Sequence, residues 1–200
     1  MTQKRSGRPR GFDAQASLMQ ATQVFWAKGY DGASMKDLTQ AMGINSPSLY
    51  AAFGDKEALY LKTIDSYVNN DACAPLVAFE QERDITGAVA AFFATTVAYA
   101  TSQPGGNRGC YLASCVAVNA VEMDGARARL ERAIAQTDAR LAARFDLEKT
   151  AGHLRADFPS LARARLMFDL RQGLVFRARA GLAAHDIMAD VDHKIASVLA

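Results

Sequence analysis

Apolar positions recur at helical spacing along most of this chain. Ala14, Leu18, Ala21 and Phe25 form one stripe of a first helix, which Asp13 caps and Lys28-Gly29 ends. Ser34 with Asp37 three residues on is the capping-box signature of a second helix, and Leu38, Ala41 and Met42 give that helix one apolar face. Gly43 stops it, because glycine enters the left-handed conformation without strain. Asn45 or Ser46 caps a third helix that carries Leu49 and Phe53, with Pro47 in the first turn, where a backbone N–H has no partner to lose. Two short helices joined by a glycine-containing turn of about 3–4 residues predict a helix-turn-helix.

Further helical patterns run from Asp55 to about Asn70 and over 84–101, 110–121, 124–149, 158–180 and 184–199, with 102–107 as the clearest loop. The apolar positions of 158–180 extend too far round for a helix with one neighbour and predict burial on two sides. No strand-like alternation of any length appears. The predicted fold is all-α, with about nine helices: a three-helix head over 11–56, preceded by a disordered arm at 1–10, and a helical body over 57–200.

Composition and charge narrow this picture. Half of the 200 residues are hydrophobic, enough for a core, yet no apolar run approaches the roughly 18 residues that span a bilayer. The basic N-terminus has no apolar segment behind it and is no secretory signal, so the expected location is the cytoplasm, away from membranes. Net charge is only +2, but Lys4, Arg5, Arg8 and Arg10 fall in the first ten residues without an acid among them, an arm suited to a polyanion. Arg8 and Arg10 are of the kind that enters a narrow minor groove. Three cysteines without a CxxC pair argue against a disulfide scaffold and a zinc site, and no cofactor or metal is expected. His185, Asp186, Asp190 and His193 lie near one face of the last helix and are of the types that bind a metal, but their spacing is loose and they read as a solvated face. The arginines at 127, 129, 132, 140 and 144 read the same way.

The head resembles the TetR family of bacterial transcriptional regulators. Ser34, Leu38-Thr39, Met42-Gly43-Ile44, Tyr50-Ala51-Ala52-Phe53, Lys56 and Leu59 follow the order and spacing of that family's head, and Phe25…Lys28-Gly29-Tyr30 is similar to its first-helix ending. Ala52 stands where the family has His, which removes one polar contact to DNA, and Thr39 stands where it has Ala. The likeness covers roughly residues 11–68. In the body, Arg108-Gly109-Cys110 resembles a subgroup of the family.

The resemblance implies a DNA-binding regulator, a repressor by default, that binds an inverted repeat in double-stranded DNA as a homodimer and is released by a small molecule. Ser46, Pro47, Ser48 and Ala51 are then expected to face the major groove, with Tyr50, Lys56 and Ser34 on phosphates. The body becomes a sensor with a largely apolar effector. Its candidate pocket residues are Phe92, Phe93, Tyr99, Cys110, Tyr111, Met123, Phe145, Met167 and Phe176, each also readable as plain core. The last two helices supply the expected dimer surface, through Leu170, Leu174, Ile187, Val191, Ile195 and Val198. Cys110, near a helix start and beside Arg108, is a candidate reactive thiol; the alternative is a small buried apolar residue.

Two rival readings remain at this point. An enzyme lacks support: no nucleophile elbow, phosphate loop, HExxH or dinucleotide fingerprint is present. An all-helical dimeric scaffold or adaptor predicts dimers without sequence-specific DNA binding.

Overall fold

The computed structural model describes residues 13–70, 73–102 and 109–200, and every described element is helical. The chain divides into two compact units, Met1–Thr63 and Ile64–Ala200. The division falls inside a helix, whereas the sequence reading places it at 56/57, near that helix's start.

The head contains α1 (Ala14–Gly32), α2 (Met35–Met42), α3 (Ser46–Phe53) and the first turns of α4 (Lys56–Asn70). Asp13 Oδ1 caps α1 by accepting from the N–H groups of Gln15 and Ala16, at 2.9 and 3.1 Å. The helix breaks at Gly29, and Tyr30–Gly32 add one more turn. Phe25, Leu38, Leu49, Phe53, Leu59 and Tyr60 are buried together. Tyr60 sits edge-on to Phe25 at 5.0 Å between ring centres and 4.9 Å from Tyr30. These contacts explain why Leu59 and Tyr60 belong to the head: its short helices close their core only with the opening turns of α4.

The body is built around α6 (Ile85–Thr101). Its residues 85, 88, 89, 92, 93, 96, 97 and 100 are all buried, a wide stripe at helical spacing. Asp84 caps it, Oδ1 accepting from the Gly87 N–H at 2.8 Å. Around α6 pack α5 (Ala74–Gln81), α9 (Ser160–Arg179), α10 (Ala184–Met188) and α11 (Val191–Leu199). The rings of Phe79, Phe92, Phe93, Phe145 and Phe158 make successive contacts at 5.4–6.3 Å. A π-helical turn, Leu112–Val116, runs into α7 (Ala117–Asn119), and the long α8 (Asp124–Thr150) packs on α9.

Three features depart from the sequence reading. Residues 74–81 form a helix that the sequence does not predict, because Leu76 and Phe79 alone are a weak periodic signal; α6 supplies the surface that makes them a helix. The 184–199 pattern is interrupted between α10 and α11 at Ala189-Asp190. The third concerns the arginines of α8, which are not all a solvated face. Arg129 Nε meets Asp65 at 2.9 Å, Arg140 grips Glu80 with two bonds of 2.7 and 2.6 Å, and Arg144 pairs with the buried Glu148 at 2.5 Å. Arg144 also donates to the carbonyls of Glu82 and Arg83. Each guanidinium finds an acceptor remote in sequence, which no local pattern discloses. Among the described residues no helix is long and apolar enough to cross a membrane.

Candidate nucleic-acid interface and body cavity

The helix-turn-helix is held by its own caps. Ser34 Oγ accepts from the Asp37 N–H at 3.1 Å, and the Asp37 carboxylate accepts from the Ser34 N–H at 3.0 Å, closing the capping box. Lys28 Nζ reaches the same carboxylate at 2.6 Å. The bonds from Lys28 and Ser34 hold the Asp37 carboxyl well below the usual carboxylate range. Gly43 ends α2 in the left-handed region (φ 66°, ψ 27°), so the turn demands glycine there. Asn45 caps α3, its Oδ1 accepting from the Ser48 N–H at 2.9 Å.

With Leu49 and Phe53 turned inward, α3 shows Ser46, Pro47, Tyr50, Ala51 and Ala52 to the outside, and Ser48 is half-buried. Tyr50 is 52% exposed, an aromatic kept out of a core that buries its neighbours on both sides of the turn. Lys56 Nζ lies 4.5 Å from the centre of the Tyr30 ring and 3.5 Å from the Asp31 carbonyl, at the N-terminal end of α4. Ser34 Oγ is engaged in its capping box, where it also donates to Asp37 at 2.7 Å. Lys62, absent from the sequence reading, donates to the last-turn carbonyl of Ala52 at 3.2 Å and adds a cation at the C-terminal end of α3. Its spacing from α3 carries no local signal. Arg8 and Arg10 lie outside the described residues.

The body holds a cavity of about 850 Å³, within the range of small-molecule sites. Its wall comes from the ends of α4 and α5, from Phe92 of α6, from the π turn and α7, and from facing sides of α8 and α9. Of the nine pocket candidates, Phe92 and Phe176 line it. Phe93, Phe145 and Met167 are in the packed core, Tyr111 and Cys110 are buried, Tyr99 is half-buried near Tyr67, and Met123 precedes α8. Lining side chains the sequence reading missed include Leu76, Leu130, Ile134, Phe168 and Arg171. The wide apolar arc of α9 is now explained: Met167 and Leu174 face the core while Phe168 and Phe176 face the cavity.

Behind the wall, three donors converge on Cys110 Sγ: the Tyr67 hydroxyl at 3.5 Å, Arg171 Nη2 at 3.8 Å and the Ala113 N–H. Burial pushes the thiol up, but the Arg171 charge and these hydrogen bonds outweigh it, and the thiol titrates below its ordinary value. Tyr67 moves the other way, well above its ordinary value, through burial and the nearby sulfur. Arg108, the neighbour the sequence offered for this cysteine, lies outside the described residues. Gly109 precedes it at φ 73°, and a Cβ there would meet the Val175 carbonyl at 3.2 Å, so glycine lets this segment approach α9 closely.

The six residues expected at a dimer surface are turned inward. Leu174, Ile187, Ile195 and Val198 lie in the body's own core, and Leu170 and Val191 pack against it. The apolar side chains left exposed on α8 and α9 are Leu147, Leu161 and Phe176. His185 is 3.3 Å from Asp186, and no cluster placed to hold a metal is found among the described residues.

The capped helix-turn-helix and the helical body together define a class of two-part regulatory proteins. The family model described as "Bacterial regulatory proteins, tetR family" matches residues 18–63. A TetR transcriptional regulator from Rhodococcus sp. RHA1 is 31% identical, with 92% of this chain and 98% of that one covered at a TM-score of 0.59. The chain belongs to the TetR family. The regulator CifR, in a structure complexed with 26-base-pair operator DNA, is 29% identical, with 95% of this chain and 99% of that one covered at a TM-score of 0.85. The transcriptional repressor ComR of Escherichia coli (strain K12) is 37% identical over 101 residues, 50% of this chain and 48% of that protein. The chain thus spans about half the length of the curated relatives it matches.

Proposed function

We propose that this chain is a cytoplasmic transcriptional repressor that binds an inverted-repeat operator as a homodimer and leaves it when a small molecule fills the body cavity. The observation that carries the reading is α3: a capped helix, anchored by Leu49 and Phe53, whose outer strip of small residues permits close approach to a major groove. Tyr50 and Lys56 then contact phosphates, with Ser34 at the start of α2 beside them, and Arg8 and Arg10 reach an adjacent minor groove. The operator-bound CifR supports the same use of the head. In this reading residues 11–56 bind DNA and 57–200 sense and pair.

One recognition helix reads few base pairs, so a second copy at fixed spacing is required. The six inward-facing residues serve the body's core, and the pairing surface falls to outward apolar side chains such as Leu161 of α9. A ligand that favours one body conformation shifts the DNA equilibrium by its differential affinity alone. Selection of bound fragments from a random DNA pool tests the proposal. Recovery of an inverted repeat, held with an affinity that falls steeply with salt, is expected. Dimers that select no inverted repeat would identify a scaffold instead.

A further inference from the structure

The cavity wall carries Arg140, Arg171 and Arg179 and, among the described residues, no carboxylate. Arg140 is already matched by its two bonds to Glu80. Arg171 forms no ion pair among the described residues: Nη2 reaches the Cys110 sulfur, and the guanidinium carbon lies 6.0 Å from the Phe168 ring centre. Next to it, Gln172 Oε1 is buried without a hydrogen-bond partner among the described residues. The remaining wall is largely apolar. A half-buried cation facing such a space attracts an anion more strongly than it would in water. A guanidinium's planar fork also matches a carboxylate.

We propose that the cavity takes an apolar monocarboxylate, whose charged end sits on Arg171 and whose body lies along Leu76, Phe92, Leu130, Ile134, Phe168 and Val175. This inference rests on the reading of the body as the sensor and names its ligand class. With its amide turned over, Gln172 donates Nε2 to the same carboxylate. The ligand also takes over the charge that Arg171 now shares with Cys110, so the thiol loses part of its thiolate stabilisation when the cavity fills.

The test is calorimetric titration of the full chain with decanoate and with decan-1-ol, which differ in charge at one end. Decanoate should bind at least about tenfold tighter, the size of one charge-assisted hydrogen-bonded pair. Arg171→Gln should remove that preference with decanol binding unchanged, and Arg171→Lys should keep part of it. Equal affinity for the two probes, binding of neither, or a decanoate preference that survives Arg171→Gln would overturn the inference. DNA retention separates this from the proposed function: carboxylate binding that leaves an otherwise intact operator complex unaffected keeps the ligand class and rejects the sensor role.

Discussion

In the head, Phe25, Leu38, Leu49, Phe53, Leu59 and Tyr60 are nearly fully buried, and the Phe25 and Tyr60 rings meet edge-on. The body buries more side chains, with five phenylalanines in contact, and yet keeps a cavity of about 850 Å³ beside them. The head also keeps its charged groups at the rim, whereas the body places Arg144 and Glu148 inside, 13% and 7% exposed at their side chains. A filled core holds one shape, and a recognition helix needs one shape. A hollow leaves contacts unmade, and those contacts are what a ligand can supply.

The most damaging way to break this comparison is to empty the head. Leu49→Ala should destabilise it by about 3 kcal/mol, because α3 loses its anchor and little can collapse into the gap. Leu130→Ala, which only widens an existing cavity, should cost about 1 kcal/mol. Denaturant unfolding of both variants checks the contrast, and equal losses would contradict it.

Removal of an internal charge should come next. Arg144→Ala leaves Glu148 buried with His153, at 2.7 Å, as its remaining side-chain partner among the described residues, and should destabilise the body by about 2 kcal/mol in thermal unfolding at neutral pH. A neutral result would make the inner ion pair dispensable.

A smaller effect separates function from stability in the head. Tyr50→Phe removes a hydroxyl from a side chain already 52% exposed, so unfolding should not change while DNA affinity falls about tenfold. Parallel loss of both would place Tyr50 in the core's service.

The least effect belongs to Asp37. Its folded-state pKa lies below the unfolded value, so its contribution is present above about pH 4 and is lost as pH falls through the lower folded value. The stability gap between the unmodified chain and Asp37→Asn should therefore narrow as pH drops below about 4. A gap that widens would reverse the assigned sign.

Most of the head's geometry was legible in the sequence because its signals are local. Asp13, Ser34, Gly43 and Asn45 sit where helix ends need a cap or a left-handed residue, and the partner of each cap is two to three residues away. The exposed strip of α3 follows from the burial of Leu49 and Phe53 at helical spacing. Little of the body's site was legible. An aromatic at helical spacing reads the same whether it fills a core, as Phe145 does, or lines a hollow, as Phe92 does.

The sequence by itself determined an all-helical chain, the helix-turn-helix with its caps and turn, and the likeness to one family. These rest on periodicity and on residue types whose backbone preferences act within a few positions. Only the tertiary structure decided that Arg140 meets Glu80 60 residues earlier, and that Arg171 brings a guanidinium to Cys110, 61 residues away. It also turned the expected pairing residues inward and opened the cavity. Those outcomes depend on which helix faces pack together, and the period of a helix says that a face is apolar without saying what lies opposite it.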